Sequence, residues 1–262
     1  YLNLLSTPRF GAVLGLSPDG RGNLGITGLT AYQGGTSSPT VGTQTGVTYA
    51  INNGVVSAAF PATGSLKVTG QQLWYVSPYG SFFAGGSATG WDMIIGFRAE
   101  SVAITGPFSG LYYQAGLTQD ASTLDPASLS LASYYGSFVA ANGSIVGHQR
   151  LLSTHSGLAR DVTYGDTYPT SFASQYTSDS TATKYVVSSN GSVRVGLGVG
   201  RLLGLSVAIQ APTFKGDGVY LNPVGIQNSA SSAPFTANVA RGELILLNGT
   251  NLSDAPLVVS SS

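Results

Sequence analysis

No cysteine occurs in the 262 residues, which excludes disulfides, thiolate metal centres and cysteine nucleophiles. Charge is nearly as scarce. Lys, Arg, Asp and Glu make up 8% of the chain, against roughly 25% in an ordinary soluble domain. The 11 basic and 11 acidic residues cancel, so the basic excess of a nucleic-acid binder is missing. A disordered chain is also excluded, because low charge is combined here with 14 Tyr and 10 Phe. Only three lysines are present, Lys67, Lys184 and Lys215. Lysine commonly guards exposed strand edges, so this chain is poorly defended against edge-to-edge pairing. Zero net charge favours association further. No run approaches 18 consecutive apolar residues, so no segment is suited to cross a membrane as a helix.

What is abundant favours strands. Glycine accounts for 36 residues, nearly twice the usual share of about 7%, without the period of three that collagen needs. Val, Thr and Tyr prefer strands, and apolar runs of four to eight residues end in turn residues. Strand–turn–strand phrases recur at Ser17-Pro18-Asp19-Gly20, Asn52-Asn53-Gly54, Ser77-Pro78-Tyr79-Gly80, Ala141-Asn142-Gly143 and Ser189-Asn190-Gly191. Asn-Gly suits a type I′ hairpin, in which both central residues need positive φ. The turn glycines are unequally spaced, which excludes a solenoid of fixed period. The expected fold is all-β, with antiparallel meanders forming a β-sandwich or barrel-like body. We expect an N-terminal β region over residues 1–105, a second over 106–218, and a linker with a C-terminal strand tail over 219–262. The stretch from Asp161 to Thr183 is poor in aliphatics and reads as a long loop.

The C-terminal part carries a more specific pattern. Asn222-Pro223-Val224-Gly225-Ile226-Gln227-Asn228-Ser229-Ala230-Ser231 is followed by Ala240-Arg241-Gly242-Glu243-Leu244-Ile245-Leu246-Leu247-Asn248-Gly249-Thr250-Asn251-Leu252. This resembles the opening of an immunoglobulin-like IPT/TIG-type domain, common at the C-termini of large secreted bacterial proteins. The phrases Leu73–Pro78, Asp92–Gly96 and Ser109–Leu117 look like the β-rich region preceding that domain. The resemblance implies secretion and a β-sandwich tail, and no enzymatic activity. The proline usual before Gly-Glu is replaced by Arg241. About two strands are expected in the tail, Leu244–Asn248 and Pro256–Ser260, of the roughly seven such a sandwich needs.

A search for chemistry finds weak patterns. His148 and His155 lie near no Gly-x-Ser-x-Gly elbow, and the sequence contains none. With two histidines and no cysteine, a zinc site would need carboxylates. Glu100 follows Asp92 by eight, a spacing that permits a paired-carboxylate site without indicating one. Trp91 beside Asp92 would suit a stacked sugar. Asp19, Arg21 and Asn23 alternate as calcium ligands do, with too few carboxylates. Gly196-Leu197-Gly198-Val199-Gly200-Arg201 fails the dinucleotide spacing. Trp74, Tyr79, Trp91, Tyr112 and Tyr134 are the candidate ligand or interface aromatics.

The leading expectation is a non-enzymatic extracellular structural protein that assembles with copies of itself after signal-peptide removal. Leu244, Ile245, Leu246 and Leu247 form one continuous apolar run, and Leu257, Val258 and Val259 another. Such runs belong in strands buried on both faces, so they are the candidate donated strands. The second expectation is a secreted or surface-attached carbohydrate-binding module, with extracellular polysaccharide as partner. A secreted hydrolase is third. No cofactor, metal or nucleic-acid partner is expected.

Overall fold

The computed structural model describes residues 1–3, 9–34, 38–62, 68–98, 104–105, 108–120, 130–154, 157–172, 174–178, 182–199, 202–212, 217–229 and 241–252. Among them the chain forms 21 strands and no helix, and every strand pairing is antiparallel, as the composition and turn chemistry predict.

The first sheet contains β1 (Leu2–Asn3), β2 (Phe10–Pro18), β3 (Leu24–Gln33), β4 (Thr40–Gly42), β5 (Thr48–Asn52), β6 (Val55–Phe60), β7 (Gly70–Val76), β8 (Phe82–Ser87) and β9 (Asp92–Phe97). Its order is β4-β3-β2-β1-β9-β8-β7-β6-β5. Then come β10 (Ile104–Thr105), β11 (Gly110–Asp120), β12 (Ser130–Ala141), β13 (Ser144–Ser153), β14 (Ala159–Thr167), β15 (Ser171–Phe172), β16 (Gln175–Ser178), β17 (Thr183–Val187), β18 (Val193–Gly198) and β19 (Leu202–Gln210). The second sheet has the order β14-β13-β12-β11-β19-β18-β17-β16, and β10 pairs with β15 as a short separate ladder. Last, β20 (Tyr220–Asn228) and β21 (Ile245–Thr250) form a two-stranded unit.

The two large sheets share one wiring. In each, the first strand lies in the middle and the chain steps outward on one side. It then crosses to the far edge and meanders back until the last strand pairs with the first. The repeat is one of topology, and the unequal turn spacing hides it in the sequence.

Both sheets curl. In the first, β5 reaches the start of β3: Leu24 N–H donates to Val47 O at 2.9 Å and Tyr49 N–H to Gly22 O at 2.8 Å. In the second, the Ser178 hydroxyl on β16 donates to Asp166 Oδ1 on β14 at 2.7 Å. Each concave side holds a core. Phe10, Leu29, Val56, Phe60, Trp74 and Ile94 fill the first, and Phe108, Tyr112, Phe138, Ile145, Tyr176 and Tyr185 the second. The convex faces then pack on each other. Leu2, Val13, Ile95 and Phe97 of the first meet Val195, Leu197, Leu203 and Leu205 of the second. Strands at this contact are apolar on both faces, so Ile94 and Ile95 are consecutive, with Ile94 in the inner core and Ile95 in the contact.

The glycine and aromatic content has a common explanation. Phe83 faces Gly96, Tyr134 faces Gly116, Tyr164 faces Gly147 and Tyr185 faces Gly196 across neighbouring strands. A Cβ at Gly96 would lie 2.3 Å from the Phe83 ring, and at Gly116 2.4 Å from the Tyr134 ring. Each ring lies on a strand position that only glycine leaves bare.

Two of the Asn-Gly turns adopt the expected conformation, with φ of 49° and 78° at Asn53-Gly54 and 50° and 82° at Asn142-Gly143. At Asn190-Gly191 only the glycine has positive φ. There the Asn190 side chain organises a four-residue turn, accepting hydrogen bonds from the Ser188 and Ser192 hydroxyls and from Ser192 N–H. The long loop expected from Asp161 to Thr183 is overturned: β14 covers residues through Thr167, and β15 and β16 follow. Aromatic rather than aliphatic side chains provide its burial, since Tyr164, Tyr168, Phe172 and Tyr176 pack into the second core.

Candidate functional site

A cavity of about 650 Å³ opens from the concave side of the first sheet toward the second. Leu14, Leu16, Val56, Trp74, Phe83 and Ile94 form its inner wall, and Val195, Leu197 and Leu205 of the second sheet its floor. It is bordered by residues from both faces of β2 and β9: Leu14 and Val13, Ile94 and Ile95. One cavity can touch both faces of a sheet only where the sheet is open. The opening lies ahead of Tyr1 along the line of β1. β1 pairs with β2 only at Leu2–Gly11 and Asn3–Phe10, and with β9 only at Leu2–Met93 and Asn3–Asp92. Beyond it, Val13–Pro18 of β2 and Ile94–Phe97 of β9 face each other with no strand between them among the described residues.

The edges of this slot are polar backbone. Ala12 N–H donates to Tyr1 O at 2.9 Å, so strand alternation turns the N–H and C=O groups of Leu14 and Leu16 toward the slot. Trp74 is 3% exposed and its Nε1 is buried without a hydrogen-bond partner among the described residues. Arg98 and Lys184 are the charged side chains on the lining. Nothing in the sequence singled out this site, because β2 and β9 lie more than seventy residues apart in the chain.

The second feature is β21. It pairs with β20 in two short stretches, Tyr220–Leu221 with Gly249–Thr250 and Ile226–Asn228 with Ile245–Leu247. Between them Val224 has φ of 56°, a strained value for a β-branched residue. The hairpin rests on β12, where the Ser137 hydroxyl donates to Pro223 O at 3.0 Å, beside a groove of about 210 Å³ between Tyr135, Arg150 and Asn222. β21 has no strand on its outer edge among the described residues. Leu244, Ile245, Leu246 and Leu247 are 65%, 43%, 45% and 44% exposed. None of the four is buried among the described residues. Leu257, Val258 and Val259 lie outside the described residues.

The candidate aromatics are not brought together. Trp74 and Tyr112 are core residues, and Tyr112 donates its hydroxyl to Gly191 O at 2.7 Å. Tyr134 covers Gly116. Tyr79 and Trp91 are exposed, but they sit in the turns at opposite ends of β8, roughly 20 Å apart at about 3.3 Å per residue.

The charged candidates are absorbed locally. Asp92 accepts hydrogen bonds from the Tyr1 hydroxyl at 2.7 Å, Gln72 Nε2 at 2.9 Å and Ser87 N–H at 2.7 Å. Burial works against its charge, but these donors outweigh it and hold the carboxyl below its ordinary range. Glu100 and His155 lie outside the described residues. His148 shares a 3.2 Å hydrogen bond with the Thr163 hydroxyl, and burial lowers its pKa. Asp19 accepts from Arg21 N–H, Asn23 N–H and Asn23 Nδ2, so the carboxylate holds its own turn. Gly196 and Gly198 lie in β18 rather than in a loop before a helix. No cluster of three or more His, Asp or Glu suited to a metal occurs among the described residues.

The buried cation of the second core was not anticipated. Arg194 is 4% exposed, and its guanidinium lies 4.2 Å from the Tyr185 ring and 4.3 Å from the Phe138 ring. Its Nη1 donates to the Tyr176 hydroxyl at 3.1 Å. Burial disfavours the charge, but Tyr176 and Tyr185 more than offset this, and the pKa lies above the ordinary guanidinium value. The aromatic surroundings give Arg194 the role of a packing cation.

No protein-family model matches the chain, and no curated protein matches it.

Proposed function

We propose that the chain is a non-enzymatic extracellular structural protein that associates with copies of itself by adding a strand. The observation that carries this reading is β21, an apolar strand paired along one edge whose run from Leu244 to Leu247 stays about half exposed. An unpaired strand edge recruits another strand through main-chain hydrogen bonds, with side chains setting the register. Covering the four half-exposed aliphatics would contribute roughly 1 kcal/mol each before ordering costs. Sparse charge supports the same reading, since little repulsion opposes close approach. The extracellular setting rests on the absent cysteines, the Ser/Thr/Gly-rich composition and the IPT/TIG-type resemblance of the tail.

The test is light scattering after size exclusion over a range of concentrations. The intact chain should form dimers or larger species as concentration rises. Leu246→Lys, which places a charge in the exposed run without touching either core, should keep it monomeric. A chain that stays monomeric throughout refutes self-association.

A further inference from the structure

We propose that Asn53-Gly54, the turn between β5 and β6, is a self-modification site, where the chain converts its own asparagine to aspartyl and isoaspartyl forms while the fold protects its other Asn-Gly pairs. The sequence holds four such pairs: Asn53-Gly54, Asn142-Gly143, Asn190-Gly191 and Asn248-Gly249. Water is the co-reactant. The Gly54 amide gives its proton to a solvent base, and its nitrogen attacks Cγ of Asn53. The N–Cγ bond forms, the Cγ–Nδ2 bond breaks, and Nδ2 takes a proton from water and leaves as ammonia. Water then opens the five-membered imide. Cleavage of its bond to Cγ leaves aspartate, and cleavage of its bond to the main-chain carbonyl leaves isoaspartate. Glycine is the favourable following residue because it has no Cβ to obstruct ring closure.

The four pairs share their chemistry and differ in what holds the reacting groups. Asn53 and Gly54 are both exposed, and neither the Asn53 side chain nor the Gly54 N–H makes a hydrogen bond among the described residues. A Cβ at Gly54 would meet nothing within 4 Å, so solvent base has access to the amide. The turn ends β5, which stands last in the order of its sheet, and the bonds from Val47 and Tyr49 to the start of β3 lie at the other end of that strand. It can therefore open locally without disturbing the core. Asn142 is also exposed, but Gly143 is half-buried, its carbonyl accepts from Tyr168 N–H at 2.9 Å, and the turn joins the interior strands β12 and β13. At Asn190 both reactants are engaged. Gly191 is buried and its N–H donates to Ser188 O at 2.8 Å, while Asn190 Oδ1 accepts from two hydroxyls and the Ser192 N–H. Asn248 lies within β21, where Gly249 pairs with Leu221 and Asn248 Nδ2 donates to Gly225 O at 3.4 Å. Conversion at Asn53 has two consequences. It adds a negative charge to a chain whose net charge is zero. Isoaspartate also lengthens the main chain by one carbon inside the two-residue turn that fixes the Asn52–Val55 pair, so β5 loosens from β6.

The test is incubation of the full chain at mildly alkaline pH, once folded and once in denaturant. Peptide mapping by mass spectrometry follows the exchange of amide for acid at each site, and enzymatic methylation of isoaspartate identifies the rearranged product. In the folded chain Asn53 should convert first and Asn142 more slowly. Asn190 and Asn248 should trail Asn53 by at least about tenfold, because their hydrogen bonds must break before the ring can close. In denaturant the four rates should converge. Asn53→Gln, whose longer side chain disfavours the imide, should remove the first acidic species to appear on ion exchange. A folded chain in which Asn190 or Asn248 converts as fast as Asn53 overturns the proposal. So does one in which Asn53 keeps its amide while the denatured chain loses it. The same unequal order in denaturant would assign the difference to neighbouring sequence and overturn the role of the fold. An acidic species that persists unchanged in Asn53→Gln places the modification elsewhere and overturns the assignment to this turn.

Discussion

In the second sheet, β11 pairs with β12 over eleven residues and with β19 over nine; in the first, β1 pairs with each neighbour over two. The consequences are visible in the cores. Around β11 the interior is filled: Tyr112 is fully buried and stacks on Phe138 with centroids 5.0 Å apart and planes at 7°. Beside β1 an apolar space of about 650 Å³ remains. The same wiring thus surrounds a packed interior along β11 and, ahead of Tyr1 on the line of β1, an open apolar space. Along β11, packing and main-chain pairing are supplied together by the one strand.

The largest expected difference is in amide exchange. The N–H groups of Leu14 and Leu16 should exchange orders of magnitude faster than the β12 and β19 amides directed at β11, because the latter need sub-global opening. Hydrogen exchange resolved by residue checks this on monomeric protein. Equal protection would mean that the slot is closed.

Next come truncations of large side chains. Tyr112→Ala should cost about 3–5 kcal/mol in a denaturant titration, as expected for a fully buried ring. Leu16→Ala, whose side chain borders existing space, should cost less than about 2 kcal/mol, below the usual range for a packed leucine. A Leu16 cost as large as that of Tyr112 would erase the distinction between the two cores.

The glycine positions offer a comparison of smaller size. Gly96→Ala in the first sheet forces the Phe83 ring to move, and Gly116→Ala in the second does the same to Tyr134. Overpacking of this kind costs roughly 1–3 kcal/mol. Phe83 borders the cavity and has room to yield, so Gly96→Ala should be the milder of the two. Thermal melts of both variants measure the difference, and the reverse order would contradict a looser first core.

The smallest effect is acid sensitivity. The folded-state pKa of Asp92 lies below its ordinary value of 3.8. Its contribution to stability is present above that value and disappears as pH falls through the lower folded value. Below about pH 4 the first sheet should therefore loosen, and Asp92→Asn should flatten this part of the pH dependence. Stability measured by denaturant titration from pH 6 to pH 2 tests the sign. An unchanged profile in the variant would show that the hydrogen bonds of Asp92 do not couple to folding.

The hairpins at Asn53-Gly54 and Asn142-Gly143 were legible because a type I′ turn is set by two adjacent residues. Strand content was legible for a similar local reason. The stretch after Asp161 was misread because its burial comes from Tyr and Phe, whose partners across the core are dispersed through the chain. The candidate aromatics were dispersed for the same reason: adjacency in sequence places Trp74 and Tyr75 on opposite faces, with Trp74 buried and Tyr75 69% exposed.

By itself, then, the sequence determined an all-β, antiparallel, weakly charged chain with an apolar strand near its C-terminal end. Those properties depend on residue type, alternation and turn chemistry, which act over a few neighbours. Only the tertiary structure decided that two sheets share one wiring, that their convex faces pack together, and that β2 and β9 come to flank β1. These follow from pairings between residues far apart along the chain. A strand carries in its own sequence its preference for extension, but not which edges it will meet or how far along them it will reach.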